Sequence, residues 1–325
     1  MSVPYLLAPM ASLSNRVLRE LIESFGGCDE YFTEMISAPA LLAGGPYEKF
    51  YIDGEPVPSK IVYQLVGSDP EALARAAALL DGRECKGIDI NMGCSAPEIK
   101  KRGAGVWWMA HPEAAWNMVD QVRKQVRRRR LSVKIRLGFE LNPEELLRFC
   151  RGLEAVGVDM ITLHPRTASE KFKRSSRWEY VGLVHSSLRI AVIGNGDIET
   201  AFHLLERGQS GLCDGVMVGR AAVRQPWIFA HARALEKQEP FSPVDLLEVG
   251  LRFLNFLAQY QPEEFHPSRA EKFFLYFCDN VRWGHYLRTL LNRAASLREK
   301  AQVLEQYFQD HPEERWIPRP STLSP

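Results

Sequence analysis

Short apolar, β-branched runs recur along the chain at 5–8, 30–35, 60–66, 87–91, 132–136, 160–164, 190–194 and 215–218, each closed by small or polar residues. Between them lie stretches with helical periodicity, such as PEALARAAALLDG after the third run, PEELLRFCRGLEAVG after the fifth and TAFHLLERG after the seventh. Strands that alternate with helices demand parallel pairing through crossover helices. Eight such units predict an α/β fold, a closed (β/α)8 TIM barrel, which typically takes about 250 residues. An open doubly wound sheet competes poorly, because no GxGxxG or Walker sequence follows the first run.

After Ala232 the pattern changes. The barrel is expected over 1–236, a Pro-bearing linker over 237–243, an all-helical domain without strand signal over 244–311 and a loose tail over 312–325. The stretch 266–300 carries seven cations against three acids, with Tyr276, Trp283 and Tyr286 interleaved. Cations for attraction and aromatics for stacking are what a phosphate-backbone groove needs, and KFKRSSRW at 171–178 follows the sixth strand at the same end of the barrel. A second cationic run, RKQVRRRRLSVKIR at 123–136, mostly precedes strand five and therefore falls on the barrel's other face, outside the site.

Composition narrows the class further. The 325 residues are 46% hydrophobic and 25% charged, which suits a globular protein with a large core and excludes a disordered or disulfide-scaffold chain. The 41 basic and 40 acidic residues give +1, so any polyanion must be held by a local patch. Six scattered cysteines contain no CxxC pair, so reduced thiols in the cytoplasm are expected and no metal. No stretch of 18 apolar residues occurs and the N-terminal apolar run is too short for a signal peptide, so no membrane association is expected.

Function in a TIM barrel concentrates at the C-terminal strand ends, and here those ends are polar. Gly196 and the pair Gly219-Arg220, after strands seven and eight, stand where many barrels hold a phosphate on backbone N–H groups; tight turns alone would also want glycine. Lys134 ends strand five as a cation in the mouth, suited to the negative charge of a reduced flavin, or simply reaching out over the rim. Gln64 and Asn91 offer donor and acceptor together, fit for amide-like ring edges or for buried backbone groups. His164 bonds a cofactor or caps the barrel interior. Cys94, in NMGCSAP, is the sharpest candidate: a thiol exposed by a Gly-bearing loop, with no base nearby in sequence, reads as a proton donor rather than a nucleophile.

Taken in order, LLAPM (6–10), TEM (33–35), YQLVGSDP (63–70), DINMGCSAP (89–97), KKRGAG (100–105), VKIRLG (133–138), LHPRT (163–167), IGNGDI (193–198) and GVMVGRAAVRQPWIF (215–229) resemble the tRNA-dihydrouridine synthases over nearly the whole chain. RAEKFFLYF and LRTLLNR resemble that family's C-terminal helical domain more loosely. The resemblance implies FMN bound by Pro9, Met10, Gln64, Lys134, His164, Asn195, Gly196, Gly219 and Arg220, and NADPH as reductant. It implies hydride transfer from flavin N5 to uracil C6 and a proton from Cys94 to C5. Asn91 would face the uracil, and Arg136, Arg166, Lys173, Arg174, Arg269, Lys272 and Arg288 are the expected substrate contacts. A tRNA partner and a monomer are expected. Two departures stand out: Ser95 follows the cysteine where the family has proline, and Trp107-Trp108 follow GAG in place of small or aliphatic residues. The competing readings are an FMN barrel that reduces a small pyrimidine or enone, and an RNA-binding flavoprotein weakened in turnover.

Overall fold

Eight parallel strands close on themselves in sequence order in the computed structural model, which describes residues 3–170 and 173–317. They are β1 (Tyr5–Leu7), β2 (Glu30–Ser37), β3 (Ile61–Val66), β4 (Gly87–Met92), β5 (Arg130–Ile135), β6 (Met160–Leu163), β7 (Ala191–Asn195) and β8 (Gly215–Val218), with β8 paired back to β1. The expected (β/α)8 barrel is present, followed by helices. Each run was placed within about two residues of its strand, the usual scatter at element ends. β2 runs on to Ser37 through a register shift between Phe32 and Met35. β5 begins at Arg130, so the arginine run feeds directly into the sheet.

Local chemistry starts the crossover helices. Asp69 caps Pro70–Asp81 and Asn142 caps Pro143–Ala155, each with proline at the first turn, where its missing N–H costs nothing. The first helix turns Leu73, Ala76, Ala77 and Leu80 against the strands, all fully buried. Its last residue, Asp81, accepts hydrogen bonds from the backbone N–H groups of Arg127, Arg128 and Arg129 at 3.0–3.2 Å. That anchor ties the backbone of the arginine run inward on the face away from the strand ends.

Inside the barrel an apolar plug of Leu6, Phe32, Val62, Met160, Ile193 and Met217 sits beneath a polar layer. Gln64, Asp89 and Ser132 are register neighbours across β3, β4 and β5, and all three are 0% exposed.

Beyond the barrel the helices Leu246–Tyr260, His266–Phe277, Gly284–Arg293 and Leu297–Asp310 bury a cluster that includes Phe253, Phe273, Phe274 and Phe277. Two expectations are corrected here. A strand, β9 (Val244–Asp245), opens this segment, and it pairs antiparallel with β10 (Trp316–Ile317), so residues 312–317 are not a loose tail. The Asp245 carboxylate holds them through Arg315 at 2.6 Å, and the Leu246 N–H donates to the Arg315 carbonyl. Residues 318–325 of the expected tail lie outside the described residues. No described helix is long and apolar enough to cross a membrane.

Candidate active site at the barrel mouth

A cavity of about 740 Å³ opens at the C-terminal strand ends, within the usual range for a cofactor or small-molecule site. The helical segment closes one side with Tyr276 and Asp279.

Cys94 lines it, and among the six cysteines it alone is not buried. Four hydrogen bonds fix its loop. The Asn91 side-chain oxygen accepts from the Cys94 N–H at 2.9 Å and the Gly93 N–H at 3.3 Å. The Cys94 carbonyl accepts from the Val106 N–H at 2.9 Å, and Arg136 Nε donates to the Gly93 carbonyl at 3.0 Å. Gly105, at φ +62°, is what lets the chain approach: a Cβ there would stand 2.5 Å from the Cys94 carbonyl oxygen.

On β5, Lys134 donates to Asn195 Oδ1 at 2.8 Å, and Asn195 in turn donates to the Met217 carbonyl at 2.8 Å. Burial, with the Arg136 charge close by, pushes the Lys134 ammonium down to about 7. It is therefore readily charged by an anionic ring and neutral at modest cost without one. His164 is held neutral by burial and by the surrounding cations Lys134, Arg136, Arg166 and Arg220. Arg166 Nη1 lies 3.0 Å from His164 Nε2, so that nitrogen is the acceptor and the proton sits on Nδ1. Arg166 also binds Asp197 at 2.5 Å and is 3% exposed; it braces the wall.

Past β7, Gly196 adopts φ +132°, and a Cβ would fall 2.3 Å from Ser176 Oγ. Gly196, Gly219, Arg220, Pro9 and Met10 all line the cavity.

The structure thus brings together most of the residues singled out in the sequence: Pro9, Met10, Asn91, Cys94, Lys134, Arg136, His164, Arg166, Asn195, Gly196, Gly219 and Arg220 share one cavity. It does not bring Gln64, which is 0% exposed, donates to Asp89 and accepts from Asn91. Arg269 is corrected as a surface contact: it is 3% exposed and ion-paired with Glu34 at 2.9 Å, because a bare guanidinium under the helices needs a carboxylate. Lys173, Arg174 and Lys272 are exposed outside the cavity, and Arg288, also outside it, is half-buried. Lys272 Nζ reaches Ser12 Oγ at 3.1 Å, and Arg288 lies 3.1 Å from His285. Lys171 and Phe172 of the expected groove loop lie outside the described residues.

Of the two unusual tryptophans, Trp108 is a core residue donating to the Gly67 carbonyl, whereas Trp107 stacks on His111 at 3.7 Å. Sequence reasoning missed Asp89, Glu34 and Asp197 as organisers of the site. The signal for Asp89 was an acid between two isoleucines in a strand, a position that burial forbids without partners.

A family model described as dihydrouridine synthase matches residues 6–313. A probable tRNA-dihydrouridine synthase of Aquifex aeolicus is 30% identical over 314 residues, covering 93% of this chain and 95% of that protein. A tRNA-dihydrouridine(16) synthase of Ralstonia nicotianae is 32% identical over 247 residues, covering 72% and 74%. Among solved structures, a 2-naphthoyl-CoA reductase complex superposes with TM-score 0.53 at 11% identity, over 73% of this chain and 50% of that one. That last likeness is one of fold alone.

Proposed function

This chain belongs to the dihydrouridine synthase family, an oxidoreductase family, and from that premise we propose that it reduces particular uridines of tRNA to 5,6-dihydrouridine, using FMN reloaded by NADPH, in the cytoplasm. The observation that carries the reading is that Cys94 alone among the cysteines reaches a cavity whose opposite walls supply a cation, neutral amides and a glycine turn.

The residues present fit FMN by the chemistry of their donors. Lys134 and Asn195 offer donors to the ring's oxygen-rich edge, Met10 offers an apolar contact, and Gly196, Gly219 and Arg220 offer N–H groups and a guanidinium to a phosphate. When bound, FMN supplies the hydride that adds to uracil C6. Hydride at C6 leaves enolate character at C5 and O4, and the Cys94 thiol gives its proton to C5, leaving a thiolate that water reprotonates. Asn91 offers its amide to the uracil while its oxygen holds the Cys94 loop. The base must leave the tRNA stack to enter, at a cost of a few kcal/mol. Exposed Lys173, Arg174 and Lys272, with half-buried Arg288, are the cations available to the phosphate backbone.

The test is direct. Purified protein with FMN and NADPH is incubated with dihydrouridine-free tRNA, and dihydrouridine is counted by nuclease digestion and mass spectrometry. No product with folded tRNA sinks the proposal. Equal reduction of free uridine monophosphate would favour the small-pyrimidine reductase instead.

A further inference from the structure

We propose that Asp89 is a positioning residue that sets the direction of a hydrogen-bond relay ending on the backbone of Cys94. The relay is continuous. Ser132 Oγ donates to Asp89 Oδ1 at 2.6 Å, and Gln64 Nε2 donates to Asp89 Oδ2 at 2.7 Å. Gln64 Oε1 accepts from Asn91 Nδ2 at 2.9 Å, and Asn91 Oδ1 accepts from the N–H groups of Gly93 and Cys94.

A primary amide has a donating end and an accepting end, and either end fits a hydrogen-bond partner that can do both. An ionised carboxylate only accepts. Asp89, pushed up to about 6 by burial but still ionised at neutral pH, therefore admits a single orientation of Gln64. Gln64 so oriented turns its oxygen to Asn91, which turns its own oxygen to the loop. Reversed, Asn91 would set an NH2 against two N–H donors. A carboxylate inside a barrel is costly, and an apolar side chain would fill the space more cheaply. What the carboxylate provides is direction. The relay also explains why Gln64 lies beneath the cavity and does not line it.

The catalytic meaning rests on the role proposed above for Cys94, so the test reads the loop as well as turnover. In ligand-free Asp89→Leu, Gly93 and Cys94 amide hydrogen exchange and Cys94 alkylation by iodoacetamide are expected to rise about tenfold, the worth of one lost hydrogen bond. Dihydrouridine formation is expected to fall about a hundredfold in kcat with little change in the KM for tRNA. Asp89→Asn keeps the hydrogen bonds but not the direction, because an amide can meet Gln64 with either end, so exchange and alkylation are expected to rise by about threefold, less than in Asp89→Leu. If Asp89→Leu does not fold, Asp89→Ala removes the same acceptor without an added apolar bulk. Unchanged exchange and alkylation in a folded variant that lacks the side-chain acceptor overturns the relay, and an Asp89→Asn chain indistinguishable from the unmodified one overturns the carboxylate's part in setting its direction. Loop exchange that changes as stated, in a protein that makes no dihydrouridine, would leave the relay standing and remove the functional reading.

Discussion

Glu34 and Arg269 meet 2.9 Å apart across the seam between the barrel and the helical segment, each side chain only 4% exposed. Glu34 also accepts from the Ser12 N–H, so the helix His266–Phe277 grips the loop that carries Met10. Removing one member strands the other. Arg269→Met is expected to cost about 3–5 kcal/mol in urea unfolding, whereas Glu34→Gln with Arg269→Met should recover most of that loss. Equal losses in the single and double variants would mean that packing, not charge, is what the pair supplies.

Cys94→Ala should keep flavin binding and NADPH oxidation yet lower dihydrouridine formation by about 10²–10⁴, the range of a general acid. Single-turnover product yield reads this directly. An unchanged yield takes the proton donor's role away from Cys94.

Lys134 gives a pH signature. Its ammonium titrates at about 7 in the folded chain against an ordinary 10.5, so between those values the folded state binds fewer protons than the unfolded one. Stability from this group therefore climbs as pH rises from about 7 to 10.5, and the penalty is full below that window. Ligand-free Lys134→Met should be more stable than the parent chain at pH 7, with the gap closing toward pH 10. A gap in urea midpoint that stays constant across the window contradicts the shift.

Gly105→Ala places a methyl against the Cys94 carbonyl at a backbone angle that side chains rarely adopt. A cost of about 1–3 kcal/mol is expected, together with faster alkylation of Cys94. Thermal unfolding and thiol labelling test both; a silent variant would show that the loop does not lean on this glycine.

Charge reversal at Lys272 and Arg288 should weaken tRNA binding and flatten its dependence on salt by about 1–2 in the log–log slope, leaving flavin affinity intact. Filter binding across a salt series measures it. Parallel loss of both affinities would indicate misfolding.

The barrel was legible because β-branched runs and Asp-Pro or Asn-Pro helix starts are local signals that packing reinforces. The mouth was legible because the fold sends every strand end there. What escaped depends on distances the chain sets only when folded. Gln64 and Asn91 looked alike in sequence, yet one is sealed beneath the other. Arg269 sat in a cationic stretch that reads as surface, and only the facing Glu34, more than two hundred residues away, turns it inward. β9 and β10 are two residues each, too short for any periodicity to register.

That smallest sheet has an outsized mechanical effect. With Trp316–Ile317 zipped to Val244–Asp245, the polypeptide enters and leaves its four-helix excursion through a single clasp. Because the buried Glu34–Arg269 pair seats the bundle on the barrel by itself, a longer connection at 237–243 would leave the helices in place, whereas unzipping the clasp would release both ends of the excursion at once.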